Sequence, residues 1–213
     1  MEKHYNLSKV LDEIMRIGKS LMGDFQLNDS DLKVYKTLIK YFYEDSDFEK
    51  LHSHYCLNKG IFLHGNIGTG KSRVFEIFKV FTRKYLPEKK FHVVKTSDIA
   101  DAFYSQGLVA IQKHGLLSFE MYDSTPDITK PLTKCYDDLG VETKLIKSFG
   151  NERNVMADIL LKRYDLFTKY GMKTFISTNY NADDIDANYG DRVRSRLREM
   201  CNDIVYEGTD RRR

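Results

Sequence analysis

Apolar residues recur at helical spacing through roughly the first fifty positions. Leu7, Val10, Leu11, Ile14, Ile17 and Leu21 share a face over 7 to 22, and Leu32, Tyr35, Leu38, Ile39 and Phe42 do the same over 31 to 44. Asn28, Asp29 and Ser30 offer oxygens to cap the second helix, and Met22-Gly23-Asp24 is a turn signal between the two. Past Gly60 the pattern changes. Ile61-Phe62-Leu63-His64 is a short apolar run entering a glycine-rich turn, and a helical pattern follows over 72 to 85. Further strands are predicted over 91 to 94, 132 to 136 and 173 to 177, and a helix over 98 to 114. Residues 115 to 131, with Pro126 and Pro131, are expected to be irregular. Val155, Met156, Ile159, Leu160 and Phe167 predict an amphipathic helix over 152 to 170, stopped by Gly171. Alternating strands and helices imply an α/β fold with a parallel sheet covered on both faces. Residues 1–56 are therefore expected to be a helical N-terminal extension, and 57–213 the α/β core.

The glycine-rich turn reads Gly65-Asn66-Ile67-Gly68-Thr69-Gly70-Lys71-Ser72 and fits G-x-x-x-x-G-K-[ST] at every fixed position. Glycine lets the backbone curl until consecutive N–H groups point at phosphate oxygens. The helix that follows adds its positive N-terminal end. Lys71 is spaced to reach the β- and γ-phosphates, and the Ser72 hydroxyl to ligate Mg²⁺. Arg73, directly after the motif, joins residues 65 to 72 in the set expected to contact ATP or ADP. The Gly68-x-Gly70 pair lacks the third glycine of a dinucleotide-binding turn.

A phosphate loop of this kind needs a carboxylate for the metal and often a second group to activate water. Tyr136-Asp137-Asp138-Leu139-Gly140 supplies two acids: Asp137 for Mg²⁺ and Asp138 to polarise the attacking water, with Glu142 next in line for that role. An Asp-Asp turn before glycine is the plainer alternative. Phe175-Ile176-Ser177-Thr178-Asn179 ends in small polar residues, and Asn179 is the candidate for orienting water. An ordinary turn residue would look the same. Arg192 and Arg196 are four apart on one face of a helical stretch, and Arg194 and Arg198 on another. They fit either a solvated basic helix or an arginine finger on a neighbour's γ-phosphate.

Composition narrows the class. No apolar run in the 213 residues approaches the ~20 that a membrane helix needs. The charged N-terminus lacks the apolar centre of a signal peptide, so no membrane partner and a cytoplasmic location are expected. Cys56, Cys135 and Cys201 are odd in number and far apart, as for reduced thiols. Net charge is only +3, yet residues 192 to 198 and 211 to 213 hold seven arginines, a local basic edge. His52, His54 and Cys56 alternate as on one strand face, but without an evident fourth ligand zinc is not expected.

Phosphate loop, Asp-Asp, Ser-Thr-Asn and arginine helix occur in an order that resembles the AAA+ ATPases, most closely the DnaC/DnaI helicase loaders and the IstB transposition helpers. The likeness covers about residues 57 to 206. Tyr136 to Gly140 resembles their Walker B motif, Ser177-Thr178-Asn179 their sensor I, and the stretch from Tyr189 to Leu197 their box VII, whose finger arginine falls on Arg196. The resemblance implies a three-layer α/β/α P-loop NTPase of the ASCE type without a C-terminal lid. It further implies Mg²⁺-dependent ATP hydrolysis by a homo-oligomer, with single-stranded DNA and a replicative helicase or a transposase as partners. Asp138 stands where AAA+ proteins usually carry Glu, as in many of the loader group. A small P-loop kinase would leave Asn179 and Arg196 unexplained, and an ATP-dependent adaptor without DNA is the other alternative.

Overall fold

Hydrophobic alternation builds the centre of the molecule. The computed structural model describes residues 5–143, 145–148, 151–208 and 210. Five strands lie parallel in the order β2 (His92–Lys95), β5 (Lys134–Leu139), β8 (Thr174–Thr178), β1 (Gly60–His64) and β9 (Cys201–Val205). Successive side chains of a strand point to opposite faces. Ile61, Leu63, Cys135, Phe175 and Ile204 enter one core, while Phe62, Tyr136, Ile176 and Cys201 enter the other.

Helices α1 (Leu7–Met22), α2 (Asp29–Phe42) and α4 (Lys71–Tyr85) cover the first face; the short α3 (Asp47–Lys50) adds Phe48. Helices α5 (Thr96–Gln106), α6 (Leu108–Gln112), α7 (Val155–Tyr170), α8 (Ala182–Tyr189) and α9 (Asp191–Met200) cover the second. The result is the expected three-layer α/β/α fold. The first core does not divide at residue 56. Phe42 of α2 stacks on Phe78 of α4 with centroids 5.0 Å apart, and meets Phe175 of β8 edge-on at 5.8 Å. Helix starts follow the caps. Asn28 and Asp31 form a reciprocal capping box on α2, and Asn154 accepts from the Ala157 N–H at the start of α7.

Three expectations need correcting, and one strand is new. The helix expected over 98 to 114 begins at Thr96 and breaks at Gly107 into α5 and α6. Residues 115 to 131 contain an antiparallel hairpin, β3 (Phe119–Tyr122) with β4 (Thr125–Pro131), turned by Asp123 and Ser124 at positive φ. Its positions are mostly exposed, so no apolar period marks it. Strand β9 was not anticipated because Asn202 and Asp203 interrupt its apolar residues. His52 and His54 lie in a turn and not in a strand, so alternation does not align them with Cys56. A further pair of short strands, β6 (Ile146–Ser148) and β7 (Asn151–Arg153), precedes α7. Among the described residues no helix is long and apolar enough to cross a membrane.

Arg163 of α7 is fully buried. It donates to Thr174 Oγ1 at 2.9 Å, to the Leu132 carbonyl at 3.2 Å and to the Lys173 carbonyl at 2.5 Å, tying α7 to the starts of β5 and β8. Arg163→Met keeps much of the stem but strips these oxygens of their donor. At about 1–3 kcal/mol for each unsatisfied buried group, the loss should be about 3 kcal/mol or more, read by urea unfolding. A loss below about 1 kcal/mol would mean that water replaces the guanidinium.

Candidate nucleotide site

The loop joining β1 to α4 takes its shape from close backbone approach. A side chain at Gly65 would stand 2.2 Å from the Tyr206 carbonyl, where the chain beyond β9 still pairs with β1. Gly70 caps α4 at φ 103°, a conformation that side chains strain. Lys71 is 4% exposed. Its ammonium donates to the Gly65 carbonyl at 2.8 Å and the Asn66 carbonyl at 2.7 Å. Thr69 Oγ1 donates to the same Asn66 carbonyl at 3.0 Å, closing the turn. Ile67 is exposed at the tip of the loop.

The acids come from the carboxyl end of β5, where the pairing with β8 shifts register between Tyr136 and Leu139. That bulge lets two consecutive acids differ in environment. Asp137 is buried and accepts from the Ser177 hydroxyl, with a further hydrogen bond to Ser72. Burial pushes its carboxyl above the ordinary aspartate range and the Asp138 charge adds to this, while the Ser177 and Ser72 hydrogen bonds pull it back. Asp138 is half-exposed at φ 57°, and its N–H donates to Ser177 Oγ at 2.9 Å. Ser177 thus orders both acids, a role absent from the sequence reading.

Asn179 is exposed just past β8, between the loop strand and the acidic strand. Gly68, Gly70, Lys71, Ser72, Arg73, Asp138 and Asn179 line one cleft of about 110 Å³. On the other side of the loop a chamber of about 500 Å³ is bounded by Asp24, Phe25, Gln26, Leu27, Asp31, Tyr35, Tyr206 and, again, Gly68, Thr69, Gly70 and Arg73. The segment between α1 and α2 therefore builds part of the site. Only the turn signal at Gly23-Asp24 hinted at a break there.

Arg196 lies away from the cleft. Its guanidinium sits 4.2 Å over the Tyr164 ring and donates to the Tyr164 hydroxyl at 3.0 Å and to Glu199 at 3.2 Å. Arg194 pairs with Asp183 and Asp186 of α8. Arg192 and Arg198 are exposed without an ion-pair partner among the described residues. Arg211, Arg212 and Arg213 lie outside those residues. Glu142 is buried with both carboxylate oxygens engaged, by the Gly140 N–H and the Tyr189 hydroxyl. The donor set offered for a metal, the Ser72 hydroxyl and the Asp137 carboxylate, is made of hard oxygens and fits Mg²⁺.

No protein-family model and no curated protein sequence matches the chain. Solved structures do match it in fold. The DnaC helicase loader is 17% identical over 88% of this chain and 96% of its own, with a TM-score of 0.56. DnaI is 18% identical over 94% of this chain and 93% of its own, at 0.54. AMPPCP-bound DnaA from Aquifex aeolicus is 14% identical over 86% of this chain and 48% of its own, at 0.51. The architecture is thus the α/β fold with a central parallel sheet that these solved structures share.

A buried carboxylate whose pKa is raised by folding favours the folded state below its unfolded pKa. It loses that contribution as pH rises through the folded value. At neutral pH the Asp137 charge therefore opposes folding when metal and nucleotide are absent. Asp137→Asn should melt higher than wild type in metal-free buffer at pH 7, by roughly 2–4 °C for each kcal/mol relieved. Calorimetry reads the shift, and a lower melting temperature would show that Asp137 is stabilising as it stands.

Proposed function

We propose that the chain is a Mg²⁺-dependent ATPase of the AAA+ type that works as a homo-oligomer on a DNA-bound partner, a replicative helicase or a transposase. The single observation that carries this reading is the cleft that gathers Lys71 and Ser72 from α4, Asp138 from β5 and Asn179 from the end of β8. Three adjacent strands of one parallel sheet deliver these groups to its carboxyl edge, where such sheets bind ligands. The AMPPCP carried by the fold neighbour DnaA supports an ATP-type ligand, and the loaders among the neighbours support a role in replication.

ATP would lay its phosphates along the loop N–H groups, with Lys71 transferring its ammonium from the loop carbonyls to the β- and γ-phosphates. Ser72 and Asp137 would hold Mg²⁺, which neutralises phosphate charge. Water held by Asn179 attacks the γ-phosphorus, the bond to the β-phosphate oxygen breaks, and Asp138 takes up the water proton. ADP and inorganic phosphate leave. The chamber beside the loop suits the nucleoside. Arg196 would reach a neighbouring subunit's γ-phosphate, and the exposed Arg192 and Arg198 favour a polyanion such as single-stranded DNA.

Lys71→Ala should lose ATP binding or turnover; wild-type hydrolysis by this variant would remove the loop from the reaction. Asp138→Asn should bind Mg·ATP normally but turn over slower by roughly 10² or more, as expected for loss of a general base. Phosphate release in single- and multiple-turnover assays separates the two effects.

Fingers of the Arg196 kind contribute roughly 10³ to 10⁵ in rate. Arg196→Ala should bind ATP yet stay inactive, and mixing it with Lys71→Ala should restore some activity. The Lys71 variant lends its arginine to the other's intact loop. Near-normal hydrolysis by Arg196→Ala and by Arg192→Ala would leave α9 a solvated or DNA-facing surface.

A further inference from the structure

We propose that Glu142 and Tyr189 are positioning residues that link the arginine-bearing helix pair to the backbone turn holding Asp138. The inference rests on Asp138 serving ATP hydrolysis as described above, but its geometry stands apart from that reading. Asp138 sits at φ 57°, where a non-glycine residue costs on the order of 1–2 kcal/mol unless its neighbours hold it.

The holding groups are side chains spread along the turn. The Thr96 hydroxyl donates to the Asp138 carbonyl at 3.0 Å, and the Asp138 N–H donates to Ser177 Oγ at 2.9 Å. The Thr178 hydroxyl donates to the Leu139 carbonyl at 2.6 Å, and the Tyr180 hydroxyl to the Gly140 carbonyl at 3.1 Å. The Gly140 N–H donates to Glu142 Oε2 at 2.9 Å.

Thr96, Ser177, Thr178 and Tyr180 belong to α5, β8 and the residues just after β8. The fifth contact leads elsewhere. Glu142 Oε1 accepts from the Tyr189 hydroxyl, and both side chains are buried. Tyr189 is the last residue of α8 and is followed by Gly190 and α9. Arg194 binds Asp183 and Asp186 across the junction, so α8 and α9 form one braced unit. Any shift of that unit pulls on Tyr189, then on Glu142, then on the Gly140 N–H two residues beyond Asp138. A buried carboxylate that loses one donor is costly to leave in place, so the connection transmits displacement instead of absorbing it. The surface that meets a neighbouring subunit in the proposed assembly thereby gains a route to the water-activating residue.

Tyr189→Phe removes the hydroxyl and keeps the ring. Two readouts on the full chain test the link. By hydrogen exchange, amides in the peptide spanning 136 to 142 should exchange about tenfold faster than in wild type, a loss of about 1.4 kcal/mol of local protection, while the peptide spanning 61 to 72 is unchanged. By kinetics, kcat should fall about tenfold while the Kd for a fluorescent ATP analogue stays within about twofold. Glu142→Gln should stay within about threefold of wild type in both, because its amide oxygen can accept from Gly140 and its NH₂ can donate to Tyr189. Glu142→Ala should behave as Tyr189→Phe. Unchanged exchange over 136 to 142 in Tyr189→Phe overturns the link, as does a uniform rise across all peptides, which marks plain destabilisation. Wild-type kcat in both Tyr189→Phe and Glu142→Ala also overturns it. A wild type without turnover sinks the ATPase reading instead, and the exchange experiment still decides the link.

Discussion

Two opposite charges are buried at the carboxyl edge of one parallel sheet, and much of the architecture follows from keeping them there. Lys71 and Asp137 are each 4% exposed. A charge removed from water must be met by polar groups of the protein or of a ligand. The ammonium of Lys71 is met by the carbonyls of Gly65 and Asn66, which fixes the curl of the loop. The carboxylate of Asp137 is met by the hydroxyls of Ser177 and Ser72, which fixes what lies on either side of it. Ser177 can reach because β8 is inserted between β1 and β5. A strand order that placed β5 directly beside β1 would leave Asp137 without that donor. Both charges are met by polar groups of the protein and not by each other, which suits the ligand of the proposed site.

The same chemistry explains what could be read along the chain. The loop was legible because its constraints are local: a glycine where φ is positive, a lysine after it, a hydroxyl after that. The positions of Asp137, Asp138 and Asn179 were legible because each stands at the end of a strand that opens on the same edge. Ser177 was not, since its role depends on two strands pairing in a register that no local pattern states. Arg163 was missed for a like reason: on a helical wheel it belongs with solvent, and only the oxygens at the starts of β5 and β8 make burying it tolerable. The hairpin of β3 and β4 escaped because a strand with no buried face has no period to show. Glu142 looked like a spare acid by proximity. Tyr189, 47 residues later, turns it into a brace.

The N-terminal helices contribute more than an attachment. Phe42 and Tyr35 stack on Phe78 of α4 at 5.0 and 5.7 Å, and Phe75 of the same helix stacks on Phe175 at 6.0 Å. Helix α4 therefore lies between the rings of α2 and those of the sheet, and it starts at Lys71. The Tyr206 hydroxyl also reaches Asp31 of α2, joining the chain beyond β9 to the extension beside the loop. The composition of this face, rich in Phe and Tyr, suits large rigid contacts that resist shearing.

The two faces of the sheet thus divide the work. The face packed by α1, α2 and α4 holds the groups that would grip phosphate, and its interlocked rings leave little freedom to move them. The backbone around Asp138 is held instead by single hydroxyls from α5, β8 and the residues just after β8, and by the Glu142 carboxylate that Tyr189 of α8 braces. Hydrogen bonds of that kind are directional, and a small rotation of α8 and α9 alters them without breaking a core. In the proposed ATPase, grip and turnover could then vary independently. A nucleotide bound on the rigid face would stay bound while the geometry for water attack waits on the other face. An ATPase that must hold ATP until a partner arrives needs this separation, because a site that tightened on ATP and aligned water together would hydrolyse it before assembly.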